Sequence, residues 1–410
     1  MKNRKRNLFF VALLIGCIQS SFAQEASFNG IGQKFNTYRS QAQQEKLFVH
    51  LDRSFYYSGE TMWFKVYAVD GTLHKPLDIS AVAYLEIVDL TNHAVLQTKI
   101  ALHNGAGDGS LFLPSSLSTG NYLLRAYTRW MKNFDPDFYF QQSFSILNTL
   151  RKPDVASEPE SPAFDIQFFP EGGNLVKGIK SKIAFRAIDK NGNGIGFRGA
   201  IVNVSNDTIV KFSPTKFGIG NFVFTPTESQ GYKAVIKVAN GKVTSHQLPA
   251  INDSGYVISL TDSSNFIRLA TFAKLSESTS GVVYLLVHAR NQIAVSVAGR
   301  LVQGKAVFPI DKKLLGDGIN HLTIFNDEGK PVCERLYFKK PENSLVVTAA
   351  SDKQQYDRRR KVIITLDAKS TNGKELPADF SLAVYRKDSL QTIQPTSISQ
   401  YLWLTSELRG

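Results

Sequence analysis

The sequence predicts an all-β protein built as a tandem of β-sandwiches, and three observations carry that expectation. First, short segments rich in β-branched and aromatic residues, such as "TMWFKVYAVD", "NYLLRAYTRW" and "GVVYLLVHA", are separated by Gly, Asn, Asp and Pro. Several alternate apolar with polar, as strands with one wet face do. Second, these segments recur about every ten residues, a spacing of sandwiches rather than of βαβ units. Third, a phrase returns. "GDGSLFLPSSLSTGNYLLRAYTR" (Gly107 to Arg129) comes back as "GIGNFVFTPTESQGYKAVIKV" (Gly218 to Val238) and, more loosely, as "GKAVFPIDKKLLGDGINHLTIF" (Gly304 to Phe325).

The repeated phrase reads as one supersecondary unit. Paired glycines (Gly107 and Gly109, Gly218 and Gly220) are expected to let the chain turn tightly. A short strand follows, and Pro114, Pro226 or Pro309 is expected to end it, because proline cannot donate to a ladder. Another glycine (Gly120, Gly231, Gly316) then opens a second strand, with Tyr122 or Tyr232 near its start in two copies. The prolines lie 112 and 83 residues apart, a domain-sized period.

Taken in order, residues 1–23 read as a secretory signal. "MKNRKRN" is a basic n-region, "LFFVALLIGCI" an apolar core too short to span a bilayer stably, and Ser21 and Ala23 supply small residues for cleavage before Gln24. A lipoprotein signal at Cys17 is the minor alternative, because Leu14-Ile15-Gly16-Cys17 loosely resembles a lipobox. Residues 24–45 form a short helical or extended lead, with Phe35 and Tyr38 at helical spacing. Sandwiches are expected at 46–148, 163–250 and 254–340. An incomplete one is expected at 343–410, where the opening phrase "YDRRRKVIITLDAKSTNG" occurs without the closing one. The linker "RKPDVASEPESPA" (Arg151 to Ala163) has almost nothing apolar to bury.

Composition narrows the function classes. The chain has 410 residues with 48 Lys+Arg against 35 Asp+Glu, a net +13. Removing residues 1–23 takes away Lys2, Arg4, Lys5 and Arg6 and no acid, leaving 44 against 35, or +9. The densest basic run, Arg358-Arg359-Arg360-Lys361, reads as a solvated approach to a strand, not a nucleic-acid face. No later segment approaches a membrane-spanning length. With the signal removed only Cys333 remains, a small hydrophobe at a strand start that can form neither an internal disulfide nor a Cys-only zinc site.

No catalytic, cofactor-binding or metal-ligating residues are assigned, and no cofactor is expected. Asp189-Lys190-Asn191-Gly192-Asn193-Gly194 imitates the start of an EF-hand loop, but its twelfth position is Ala200, and an Asn-Gly turn explains it better. His50, His74, His93, His103, His246, His288 and His321 show no i, i+4 pair. There is no Gly-x-Ser-x-Gly elbow, Walker loop or dinucleotide fingerprint. One stretch departs from the repeat: "YTRWMKNFDPDFYFQ" gathers Trp130, Met131, Phe134, Phe138 and Tyr139 around Asp135-Pro136. It reads either as a partner-docking loop or as a flap folded back over a sandwich edge or a domain junction.

"EKLFVHLDRSFYYSGETMWFKVYAVD" followed by "GDGSLFLPSSLSTGNYLLRAYT" resembles the MG2-type domain of the α2-macroglobulin family. "PEGGNLVKGIKSKIAFRAID" and "GKPVCERLYF" resemble its later macroglobulin-like domains. The nearest likeness is to exported bacterial proteins carrying several such domains, some ending in a plug-like part of TonB-dependent outer-membrane receptors. The resemblance implies seven-stranded, fibronectin/Ig-like sandwiches. It does not extend to the thioester of the family's protease traps, since Cys333 is followed by Glu334 and Arg335. The expected function is therefore a non-catalytic interaction or scaffold role in the periplasm, outer membrane or cell surface, accessory to a TonB-dependent receptor system, with a protein partner in the envelope. The alternatives are a non-thioester endopeptidase inhibitor and a carbohydrate- or peptide-binding module.

Overall fold

The computed structural model of the chain describes residues 30–151, 164–190, 192–275, 281–386 and 396–408. The signal read at 1–23, Cys17 with it, and all but the first residue of the linker lie outside the described residues. The protein is a tandem of all-β sandwiches.

The first sandwich contains β1 (Glu45–Leu51), β2 (Phe55–Tyr57), β3 (Thr61–Asp70), β4 (Val82–Val88), β5 (Ala94–Ala101), β6 (Ala106–Phe112), β7 (Gly120–Thr128) and β8 (Phe140–Leu147). Its sheets run β1-β3-β6 and β2-β8-β7-β4-β5. Alternation places the core: along β3, Met62, Phe64, Val66 and Ala68 point inward while Trp63 is exposed.

The second sandwich contains β9 (Asp165–Pro170), β10 (Leu175–Val176), β11 (Ser181–Ile188), β12 (Phe197–Val202), β13 (Thr208–Phe212), β14 (Ile219–Phe224), β15 (Lys233–Val238), β16 (Val243–Gln247) and β17 (Ile251–Asn252). Its main sheets run β14-β11-β9 and β13-β12-β15-β16. The core centres on Phe185, which packs against Phe197, Phe212 and Phe222 at 5.5, 5.0 and 6.3 Å.

The third sandwich contains β18 (Gly255–Asp262), β19 (Phe266–Lys274), β20 (Val282–Ala289), β21 (Gln292–Arg300), β22 (Lys305–Asp311), β23 (Gly318–Phe325) and β24 (Pro331–Lys339). Its sheets run β18-β19-β22 and β21-β20-β23-β24. Strand β20 is an almost unbroken apolar run because both of its faces are covered. A helix over residues 30–41, α1, lies on the outer face, where Ile31, Phe35 and Tyr38 line a small recess with Leu286 and Phe325. The lead thus takes its helical form on the third sandwich's sheet. The three cores are separate clusters of buried side chains.

The described residues form two compact units: one holds α1 with the second and third sandwiches, the other the first sandwich with residues 338–410. In the latter, β25 (Leu345–Ser351) and β26 (Ile364–Ser370) make a two-stranded antiparallel ribbon whose apolar side chains are largely in water. The helix α2 (Ile398–Trp403) sends Tyr401 into the first core, its ring 5.7 Å from Phe48 and 5.2 Å from Phe140.

The repeated phrase works differently from its sequence reading in two respects. Gly107, Gly109 and Gly220 lie inside strands and make no turn, and of the four paired glycines only Gly218 takes a positive φ. Gly109 and Gly220 each face a phenylalanine across the ladder, Phe64 and Phe185, and a Cβ at Gly220 would come within 2.5 Å of the Phe185 ring. Glycine here makes room for a core aromatic. Pro309, in turn, does not end its strand. It sits within β22 opposite Arg268, which is tolerated because β22 is a sheet edge and its missing N–H breaks no inner ladder.

The connection after each proline is pinned four or five residues apart in all three copies. The Tyr122 hydroxyl donates to Ser118 O at 2.9 Å, and the Tyr232 hydroxyl accepts from Thr227 N–H at 3.0 Å. In the third copy Asn320 replaces the tyrosine, accepting from Gly316 N–H at 3.0 Å and donating to Gly316 O at 2.7 Å while wholly buried. Asn320→Leu should leave both Gly316 groups unpaired and cost about 1–3 kcal/mol. A lowered urea midpoint reads this out, and an unchanged midpoint refutes the pinning role.

Candidate functional site

The aromatic stretch after β7 is shaped by local hydrogen bonds. The buried Thr128 hydroxyl bonds the Glu45 carboxylate and accepts from Met131 N–H at 3.1 Å, which starts a single helical turn at Trp130–Asn133. Asp135 then caps a second turn, Pro136–Phe138, by accepting from Asp137 N–H at 3.0 Å. Met131 falls in the core, 1% exposed, so the folding-back alternative describes its side chain. Trp130 donates its indole N–H to Gln43 O at 2.7 Å and is 36% exposed. From it runs an edge-to-face ladder, Trp130 to Phe134 at 6.3 Å and Phe134 to Phe138 at 6.2 Å, with both phenylalanines half-buried.

Tyr139 belongs to a second group that the sequence did not announce. It stacks on Tyr127 at 4.7 Å, and Tyr127 stacks on Tyr84 at 5.6 Å, side by side on β7 and β4. The Tyr127 hydroxyl donates to Glu86 at 2.7 Å, and burial together with that carboxylate raises its pKa. The alternation of β4 and β7 was the available signal, since register puts Tyr84 opposite Tyr127. Two aromatic groups therefore share one region of the first sandwich, one stacked flat and one partly open.

Elsewhere the polar side chains serve the fold. An acid at the end of an opening strand recurs with its N–H bonded to a carbonyl eleven residues on: Asp52 to Trp63 O, Glu171 to Lys182 O, Asp352 to Ile363 O. In the first and last cases a tyrosine four residues later completes a pin. Tyr56 donates to Asp52 at 2.7 Å, and Asp52 also accepts from Trp63 N–H at 3.0 Å. Tyr356 and Ile363 N–H bond Asp352 in the same way. In the second sandwich that tyrosine position is Leu175, fully buried. Glu171 is released from the local pin and turns to the third sandwich instead, accepting from Leu260 N–H at 3.1 Å and facing Arg335 Nε at 3.5 Å.

Of the seven histidines, the structure brings His288 and His321 together. They sit opposite each other on β20 and β23, with rings stacked at 4.8 Å. Phe35 of α1 covers His288 at 4.7 Å, and Glu334 lies 3.3 Å from His321 and accepts from Thr323 at 3.1 Å. Burial, reinforced by His321, pushes the His288 pKa down to about 4, so the pair is not doubly charged at neutral pH. His50 meets Ser381 at 2.7 Å in a small recess beside Trp63, but Asp52 is occupied by Tyr56, Trp63 and Arg53 and does not orient the imidazole. Among the described residues, no three His, Cys, Asp or Glu side chains are grouped to hold a metal ion. Asp189 closes a turn, accepting from Asn193 N–H at 2.8 Å. Cys333 is buried, its thiol pushed up to about 12 by burial and 3.3 Å from Tyr256 O, which makes it unreactive as a nucleophile. No described helix is long and apolar enough to cross a membrane.

Fold and surface together define a multi-sandwich β-protein whose most distinctive exposed feature is an aromatic loop. No family model and no curated protein matches the chain. Solved structures to which it is similar include an Escherichia coli α2-macroglobulin activated by porcine elastase, at 13% identity, 81% of this chain, 34% of that chain and TM-score 0.27. A Salmonella α2-macroglobulin mutant follows at 13% identity, 80% and 25% coverage and TM-score 0.22. A tetra-tandem repeat from the extending region of a large adhesion protein gives 12% identity, 81% and 92% coverage and TM-score 0.21. The chain spans a quarter to a third of the length of these macroglobulins. Likenesses of this degree assign neither family nor activity.

Proposed function

We propose that the protein is an exported, non-catalytic interaction and scaffold protein of the cell envelope, built of macroglobulin-like sandwiches and accessory to a TonB-dependent receptor system. The observation that carries this reading is the separation of the three cores. Buried polar groups such as Thr128 and Asn320 serve pins and turns within their own sandwiches, which leaves surfaces to do the work. The partly open ladder of Trp130, Phe134 and Phe138 is the preferred contact surface, because aromatic anchors carry a disproportionate share of binding energy.

A photo-crosslinking residue placed at Phe134 in the full chain tests this. One discrete adduct with an envelope protein, weakened about tenfold by Trp130→Ala, is the expected result. Trp130→Ala without effect, on a chain whose amide exchange is unchanged, removes the loop from the proposal. Incubation with trypsin and elastase tests the inhibitor alternative. Stoichiometric retention of a cut chain on protease would replace the scaffold reading with trapping.

A further inference from the structure

A second candidate site lies away from the aromatic loop, in a cleft of about 580 Å³ where the outer face of β14-β11-β9 meets β24. That volume falls within the roughly 300–1,000 Å³ of small-molecule sites. Its floor is one register row across three strands: Phe169 on β9, Ala184 on β11 and Asn221 on β14. Ala184 contributes only a methyl group, so a trough runs between the Phe169 ring, 48% exposed, and the exposed Asn221 amide. Glu171 stands at the end of the trough, with its side chain 4% exposed. Its Oε1 accepts from Leu260 N–H and faces Arg335, whereas Oε2 accepts no hydrogen bond and has only an ion pair with Lys182 Nζ across 3.7 Å. Lys216 and Arg335 complete the rim.

This combination selects a chemistry. Carboxylate, carboxamide and guanidinium are planar groups that can each present a pair of polar atoms to neighbouring hydroxyls. A half-exposed aromatic ring offers a platform for the apolar face of a sugar ring. Positive charge outnumbers negative at the cleft: Lys182, Lys216 and Arg335 stand against Glu334, which is engaged by Thr323 and His321, and the buried Glu171. An extended peptide would add to a strand edge through main-chain bonds, whereas this cleft presents the flat of a sheet. We propose that the cleft binds an anionic saccharide. Its ring stacks on Phe169 over Ala184, its hydroxyls bridge Asn221 and the Glu171–Lys182 gap, and its acid group meets Lys216 or Arg335. This goes beyond the scaffold reading and does not depend on the aromatic loop.

Titration calorimetry on the full chain with three probes decides it: trigalacturonate, neutral maltotriose and hexaglutamate. Saturable binding of trigalacturonate is expected, with maltotriose and hexaglutamate each weaker by about tenfold or more. Phe169→Ala and, separately, Lys216→Gln should each weaken trigalacturonate about tenfold. Both side chains line the open cleft, and unchanged amide exchange confirms that the variants are folded. Absence of saturable binding, hexaglutamate binding as well as trigalacturonate, or indifference to both substitutions overturns the proposal.

Discussion

Phe185→Ala is expected to unfold the second sandwich and spare the first. Phe185 is 1% exposed at the centre of a phenylalanine cluster, and its removal should cost about 3–5 kcal/mol. The facing Gly220 cannot fill the void, since glycine is there only to admit the ring. Hydrogen exchange resolves the outcome by sandwich. Amides of β11, β12 and β14 should lose protection while those of β3, β4 and β7 keep theirs. Equal loss in both would mean that the cores are energetically merged, and the modular account of the protein would fail with it. Amides of the third sandwich report on the Glu171 joint, because its bonds to Leu260 and Arg335 couple the second sandwich to the third.

Acid should weaken the unit that contains α1, starting well above the carboxylate range. His288 is ordinary in the unfolded chain, near 6.5, and held down to about 4 in the folded one. Above pH about 6.5 both states are neutral and this group has no effect. Between about 6.5 and 4 the unfolded chain binds a proton that the folded chain refuses, so stability falls with pH by about 3 kcal/mol in total and then levels off. Glu334, whose pKa is lowered chiefly by its bond to His321, adds further loss as pH drops through and below the usual carboxylate range. The groups facing His288 are His321 and Glu334 from the sheet and Phe35 from α1; Lys34 and Glu328 border the adjoining recess. His288→Leu should flatten the upper window. Urea midpoints measured at pH 7, 5.5 and 4.5 check this, and an unaltered slope in His288→Leu assigns the effect elsewhere.

The strands were legible because alternation is a local property: "TMWFKVYAVD" declares its buried face within one segment. The glycine-proline phrase was legible as a repeat but not as a mechanism. Gly109 and Gly220 look like turn residues until the partner strand supplies a phenylalanine opposite them. The acid pin was visible in principle, since Asp52 and Asp352 are each followed by a tyrosine four residues later. Its significance needed the hydrogen bonds to Trp63 and Ile363. Asn320 escaped because it replaces tyrosine with a different side chain making the same kind of bond. The pairing of His288 with His321, the stacking of Tyr84 with Tyr127 and the cleft around Ala184 depend on register between distant strands, which no single segment encodes. Trp130, Met131, Phe134, Phe138 and Tyr139 stand out in the sequence by their density, and the folded loop separates the buried Met131 from the partly open ladder.

The β25–β26 ribbon leaves Leu345, Val347, Ile363 and Ile364 between 40% and 51% exposed. Strands that expose apolar side chains in this way can pair with further strands. Arg358, Arg359, Arg360 and Lys361 lie in the connection between its strands, all exposed. Two ribbons paired with their connections side by side would crowd these cations, which opposes that arrangement. That repulsion depends on ionic strength: the screening length shrinks from about 8 Å at physiological salt to about 3 Å at 1 M, and the opposition weakens with it.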